Sequence, residues 1–112
     1  MATVEECAAA LHRLSDRMTG MDPDTRRKTM LDRSLSCHIR DLNVTFGARL
    51  RDGTLHDIRQ INAENGQIRL SMTSDDLLEM VDGSLNFGKA WASGRVKVHA
   101  SVFDLLKLRT LI

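Results

Sequence analysis

The sequence predicts an α+β domain, with helices set apart from a largely antiparallel sheet. Three observations carry that prediction. Apolar residues recur at helical spacing near the start, in Val4, Cys7, Ala8, Leu11, Leu14 and Met18. From Leu35 the period changes to two, and tight-turn pairs such as Asp52-Gly53 separate the alternating runs, which must then fold back antiparallel. After Ser74 the helical pattern returns, broken once by a short alternating run from Arg95 to His99.

The segment 1–31 is the N-terminal helical part. Thr3 and Glu6 form a T-x-x-E capping box for the first helix, and Gly20 stops it. Asp22-Pro23 reads as an N-cap followed by proline, opening a short charged surface helix from Asp24 to Leu31. Antiparallel strands are expected over 35–73. Leu35, Cys37 and Ile39 alternate with Ser36, His38 and Arg40, and Asp41-Leu42-Asn43 interrupts. Val44, Phe46, Ala48 and Leu50 then alternate with Thr45, Gly47, Arg49 and Arg51. Gly47 within a strand marks a bulge or a bend. Thr54 to Ile61 returns as a strand of poorer alternation, and Asn65-Gly66 makes another turn. Gln67 to Thr73 is the cleanest strand, with Ile68, Leu70 and Met72 on one face.

Two short helices are expected over 74–93. Ser74 caps the first, and Asp75 and Asp76 stand in its first turn, where the helix dipole favours anions. Its apolar residues are Leu77, Leu78, Met80 and Val81, and Gly83 ends it. Asn86 caps the second, which carries Phe87, Ala90 and Trp91. A strand over 94–99 turns Val96 and Val98 inward, and Ser101 caps a final helix over 101–112. In that helix Val102, Phe103, Leu105, Leu106, Leu108, Leu111 and Ile112 are apolar, while Asp104, Lys107, Arg109 and Thr110 share no single face. A surface helix keeps a clean polar side. This one is expected to touch apolar material on more than one side: the sheet, a partner chain or an apolar ligand.

At 112 residues the chain holds one domain. A net charge of +1, one tryptophan and no tyrosine argue against a nucleic-acid partner. Cys7 and Cys37 form no CxxC and read as small buried hydrophobes in a reduced, cytoplasmic setting. No secretory signal is visible, and no apolar run reaches the roughly 20 residues of a membrane span. His12, His38, His56 and His99 are scattered without metal-ligand spacing. Asp75 and Asp76, adjacent on a helix, point apart and suit capping rather than paired acid–base work. The expectation is no catalysis, no cofactor and no metal. One basic pattern remains, in Arg49, Arg51, Arg69, Arg95, Lys97 and His99, which alternate outward from apolar partners. If those strands are neighbours, one sheet face is basic. It is then either an ordinary solvated face or a surface for transient docking to an anionic membrane.

The stretch SMTSDDLLEMVDGSLNFGKAWASGRVKVHASVFDLLKLRTL resembles the sterol carrier protein-2 (SCP2) family. The pieces that carry the resemblance are Asp76-Leu77-Leu78 to Gly83, Asn86 to Trp91, Gly94-Arg95-Val96-Lys97-Val98, and Ser101 to Leu111. TFGARLRDGTLHDI is similar to the family's central hairpin, so the match runs from Leu35 to Ile112. The resemblance implies a five-stranded, mostly antiparallel sheet covered by helices, with an apolar tunnel between sheet and helices. It implies fatty acids, fatty acyl-CoA, sterols or other lipids as ligands, and no catalytic residues. It covers free carriers and domains appended to enzymes. The terminal Thr-Leu-Ile is not a peroxisomal Ser-Lys-Leu address, which favours a cytoplasmic, bacterial, stand-alone member.

These readings point to non-enzymatic binding or transfer of a hydrophobic small molecule. The expected pocket lining is Leu70, Met72, Leu77, Val81, Phe87, Trp91, Phe103, Leu106 and Leu111, with the last helix as a movable lid. Arg95 or Lys97 would meet a headgroup. One alternative is an interaction module, in which the last helix and Trp91 pack on a second copy, as a homodimer, or on an enzyme. Another is a subunit supporting an enzyme that acts on acyl or sulfated lipids.

Overall fold

The computed structural model describes residues 1–20, 32–52 and 54–111, with side chains at all of these except 18, 19 and 107–111. The charged helix expected from Asp24 to Leu31, Gly53 of the hairpin turn and Ile112 lie outside the described residues. The elements in order are α1 (Val4–Thr19), β1 (Arg33–Ile39), β2 (Val44–Arg51), β3 (Thr54–Ile61), β4 (Ile68–Met72), α2 (Ser74–Asp82), α3 (Phe87–Ala92), β5 (Lys97–His99) and α4 (Val102–Leu111). The strands form one five-stranded sheet in the order β3-β2-β1-β4-β5. Pairs β1–β2, β2–β3 and β4–β5 are antiparallel. The class is α+β and the sheet mostly antiparallel, as the sequence predicts.

The β1–β4 pair is parallel, and this corrects the expectation of antiparallel strands throughout 35–73. After β3 the chain does not turn back on itself; it passes β1 and pairs on the other side. Gly66 makes that passage possible. A Cβ there would lie 2.5 Å from the Ser36 nitrogen and 2.7 Å from the Leu35 carbonyl carbon. The Gly66 N–H donates to Ser36 Oγ at 3.3 Å. The glycine serves close approach of two backbones rather than a hairpin.

The poor alternation of β3 has a local cause. Gly47 pairs with Arg59 but Arg49 pairs with His56, so β3 carries one residue more than β2 between those rungs. Asp57, at φ 55°, lies in that interval. The bulge shifts the parity, so Leu55 and Ile58 both face inward although they stand three positions apart. A Cβ on Gly47, across from the bulge, would meet the Ile61 side chain at 2.9 Å.

Helices α1, α2 and α3 supply Cys7, Ala10, Leu11, Leu77, Val81, Phe87 and Ala90 to the main core, against Cys37, Ile39, Phe46, Met72 and Val96. Thr3 and Glu6 close the predicted capping box, each side chain accepting the other's N–H at 3.1 Å. Asn86 and Ser101 cap α3 and α4 as predicted. The α2 cap is Thr73 rather than Ser74: Thr73 Oγ1 accepts the Asp76 N–H at 3.2 Å. Ser74 is buried. Its hydroxyl accepts the Ala2 N–H at 3.0 Å and donates to Asp41 at 2.6 Å, lacing three separate segments together.

Candidate ligand cavity

The inward half of each strand from β1 to β4 faces α1 and α2 across a space that side chains do not fill. The cavity holds about 430 Å³, inside the ~300–1,000 Å³ range of small-molecule sites. The alternation of the strands decides which residues reach it. Leu35 and Cys37 of β1, Phe46, Ala48 and Leu50 of β2, and Ile68, Leu70 and Met72 of β4 do so, with Leu55 and Ile58 beside the bulge. The helical wall is Leu11 and Leu14 of α1, then Leu77, Met80 and Val81 of α2, and Phe87 opening α3. The wall is almost wholly apolar, and its one thiol is inert. Burial pushes the Cys37 pKa up to about 12, so the side chain stays neutral. Burial and then the Asp41 charge push Cys7 in the same direction.

Polar groups come to the cavity where helix ends meet. Arg17, in the last turn of α1, donates through Nη1 to the Val81 carbonyl near the end of α2. Gly83 closes α2 with φ 93°, and Asn86 opens α3. All three line the cavity.

Of the residues expected from the sequence, Leu70, Met72, Leu77, Val81 and Phe87 are brought together on this wall. Trp91 is not on it. It stands behind Phe87, with ring centroids 6.3 Å apart. Phe103 and Leu106 are also off the wall, because α4 presents them outward. The Leu111 side chain lies outside those described. One contact of helix α4 with the domain is polar: Arg33 Nε donates to the buried Asp104 carboxylate at 3.1 Å. The headgroup expectation for Arg95 and Lys97 also fails on position. Arg95 bonds to Asp76, and to Glu79 at 2.8 Å, and these carboxylates raise its pKa. Lys97 pairs with Ser71 on the sheet face away from the core, the face that also carries Arg49, Arg51, Arg69 and His99.

The sequence did not single out the α1 contribution, and its helical spacing sets Arg17 between the apolar positions, on the solvent side, whereas the structure brings it to the cavity lining. A signal for Arg17 exists: it follows Leu14 by three residues and so shares its helix face. Among the described residues, no three His, Cys, Asp or Glu side chains converge as metal ligands. Among them, no helix is long and apolar enough to cross a membrane.

A model described as the SCP-2 sterol transfer family matches residues 11–112. No curated protein matches the sequence. Among solved structures the fold is similar to sterol carrier protein domain 2 of Helicoverpa armigera, at 16% identity and TM-score 0.76, over 98% of this chain and 89% of that one. It is similar to palmitated SCP2L2 from Aedes aegypti, at 16% identity and TM-score 0.66, over 97% of this chain and 92% of that one. It is also similar to part of the stereoselective inverting sec-alkylsulfatase Pisa1 from Pseudomonas sp., at 21% identity and TM-score 0.61. That match covers 85% of this chain but spans only 15% of the sulfatase.

Proposed function

The chain belongs to the SCP-2 sterol transfer family, and on that premise we propose that it binds and carries one hydrophobic molecule, without catalysis, in the cavity between the sheet and α1–α2. Membership ties it to lipid binding or transfer in general. The cavity is the observation that carries the specific reading: about 430 Å³ of space with an almost wholly apolar wall. Water gains few hydrogen bonds in such a space. An acyl chain entering it gains about 0.8 kcal/mol per buried methylene, so affinity needs few polar contacts. Leu70, Leu77, Val81 and Phe87 give shape, and Met72 and Met80 adapt to different outlines. The palmitate on the Aedes aegypti protein supports an acyl chain as one ligand class. Buried, unpaired Cys7 and Cys37 fit a reduced cytoplasmic setting. The basic outer sheet face would make transient contact with anionic membrane.

Native mass spectrometry of the purified protein tests this. The expected result is co-purified lipid on a monomer. A protein isolated empty, which then takes up neither fatty acid nor sterol, refutes the reading. A second reading, an interaction module of a larger enzyme assembly, is favoured by the likeness to a small part of the sulfatase. It predicts a chain without ligand that dimerises or docks through α4, and Leu106→Glu would then abolish the association.

A further inference from the structure

The five strands carry Arg33, Arg49, Arg51, Arg59, Arg69 and Lys97, and their only acidic residue is Asp57, in the bulge. The whole chain has a net charge of +1, so the excess belongs to the sheet. On the face away from the core stand Arg49, Arg51, Arg69 and Lys97. Among the described residues, only Arg49 of these pairs with a carboxylate, that of Asp32 at 2.6 Å. Helix α4 begins at one end of this face. Strand β5 ends at His99, opposite Arg69, and α4 starts three residues later. Arg33, which opens β1 opposite Leu50, holds Asp104 in the first turn of α4. Val102, Phe103 and Leu106 stand at i, i+1 and i+4, on one side of that helix, and each is more than half exposed.

Three side chains cover far less than the roughly 800 Å² per partner that a stable protein interface buries. They suffice for shallow insertion at a lipid headgroup layer, where apolar residues flanked by cations bind. The unpaired cations complement an anionic surface, and they do so at short range and in a salt-dependent way. We propose that α4 and the adjoining sheet face form one docking surface for an anionic lipid bilayer. Val102, Phe103 and Leu106 insert, and Arg51, Arg69 and Lys97 meet headgroups. This deepens the membrane contact stated above by naming its apolar anchor and its orientation. The same end of the sheet holds Leu35, Leu50, Leu55 and Ile68 of the cavity wall, with Ala100 packed against Leu50 and Ile68 just before α4. Docking through α4 turns that end of the cavity toward the bilayer. The use of this docking in lipid transfer rests on the carrier reading.

The test is co-sedimentation of the full chain with vesicles of phosphatidylcholine alone and of phosphatidylcholine with about one third phosphatidylglycerol. The wild-type protein is expected to bind the anionic vesicles about tenfold more tightly, and to lose that preference near about 0.5 M salt. Leu106→Glu should weaken binding to anionic vesicles by about tenfold or more while fatty-acid uptake in solution stays unchanged. Arg51→Glu should weaken it by about fivefold or more. Lys89→Glu, the same charge change on α3, should have little effect. All three residues are exposed, so the variants should keep the wild-type unfolding midpoint. Undiminished binding in Leu106→Glu overturns the inference, as does equal weakening by Arg51→Glu and Lys89→Glu. A wild-type dimer that Leu106→Glu makes monomeric assigns the apolar stripe to a second copy and also overturns it. A protein that takes up fatty acid but binds no vesicles overturns it and leaves the carrier reading standing. Vesicle binding with the expected pattern, in a protein that takes up neither fatty acid nor sterol, supports the docking surface and refutes the carrier reading alone.

Discussion

Helices α2 and α4 begin alike and are used differently. Each follows a strand, and each is opened by a hydroxyl that accepts the N–H three residues on, Thr73 at 3.2 Å and Ser101 at 3.1 Å. Yet α2 buries Leu77 and Val81 and walls the cavity. Helix α4 is richer in apolar residues, but Val102, Phe103 and Leu106 are 74%, 60% and 60% exposed. The difference is phase. Leu77, Met80 and Val81 stand at i, i+3 and i+4 and form one stripe that a single neighbour can cover. Apolar residues of α4 are spread around the helix, so no docking on one body covers them all. Apolar content alone does not place a helix against a cavity; periodicity does.

The largest test of that contrast is truncation. Leu77→Ala should destabilise the protein by about 3 kcal/mol, because the side chain is buried in the core and leaves a void. Leu106→Ala should cost less than about 0.5 kcal/mol. Urea unfolding measures both. Equal costs would mean that α4 is as well packed as α2, and the contrast would fail. Next comes the polar anchor of α4. Arg33→Met leaves the Asp104 carboxylate, 4% exposed, without its cation. Removing one partner of a buried pair costs about 3–5 kcal/mol, and the partial exposure of Arg33 reduces this to about 2 kcal/mol. Hydrogen exchange should quicken in α4 first, with the β1–β2 ladder unchanged. Uniform quickening would mean that α4 is not a separately held element.

Ligand uptake sharpens the same comparison. Leu70→Trp, placed on the wall, should fill the cavity and weaken acyl-chain binding by about tenfold or more, a change near 1.4 kcal/mol. Leu106→Glu, off the wall, should leave binding unchanged. Loss of binding in Leu106→Glu with retention in Leu70→Trp would move the ligand to α4.

Much of this architecture was legible in local pattern. The bounds of β2 and β3, the bulge signalled by Gly47, and the caps at Thr3, Asn86 and Ser101 all follow from spacing and residue type. So do five wall residues, Leu70, Met72, Leu77, Val81 and Phe87, because strand alternation and one helical stripe point them inward. The rest depends on partners distant in sequence. Asn65-Gly66 reads as a turn, and nothing nearby says that Gly66 must lie against the β1 backbone. The parallel β1–β4 register, Leu35 beside Ile68, spans a separation that no window of periodicity contains. Trp91 and α4 were expected at the cavity on apolar content. That content does not say which side of a helix faces the domain.

The smallest effect concerns how α2 is tied at its start. Asp41 accepts the Ser74 N–H at 2.8 Å and its hydroxyl at 2.6 Å. These bonds to Ser74, its side chain first, hold the Asp41 carboxyl below its ordinary value. In the unfolded chain it titrates near 3.9. The folded state therefore binds its proton less readily than the unfolded state. The stabilisation is complete above the unfolded value and is lost as pH falls through it toward the lower folded value. Asp41→Asn should be less stable than the wild type at neutral pH, and the two unfolding midpoints should converge as pH drops below about 4. No equivalent convergence is expected for Leu77→Ala, whose deficit comes from packing and does not titrate. Midpoints of Asp41→Asn and wild type that run parallel into acid would show that Asp41 does not anchor α2.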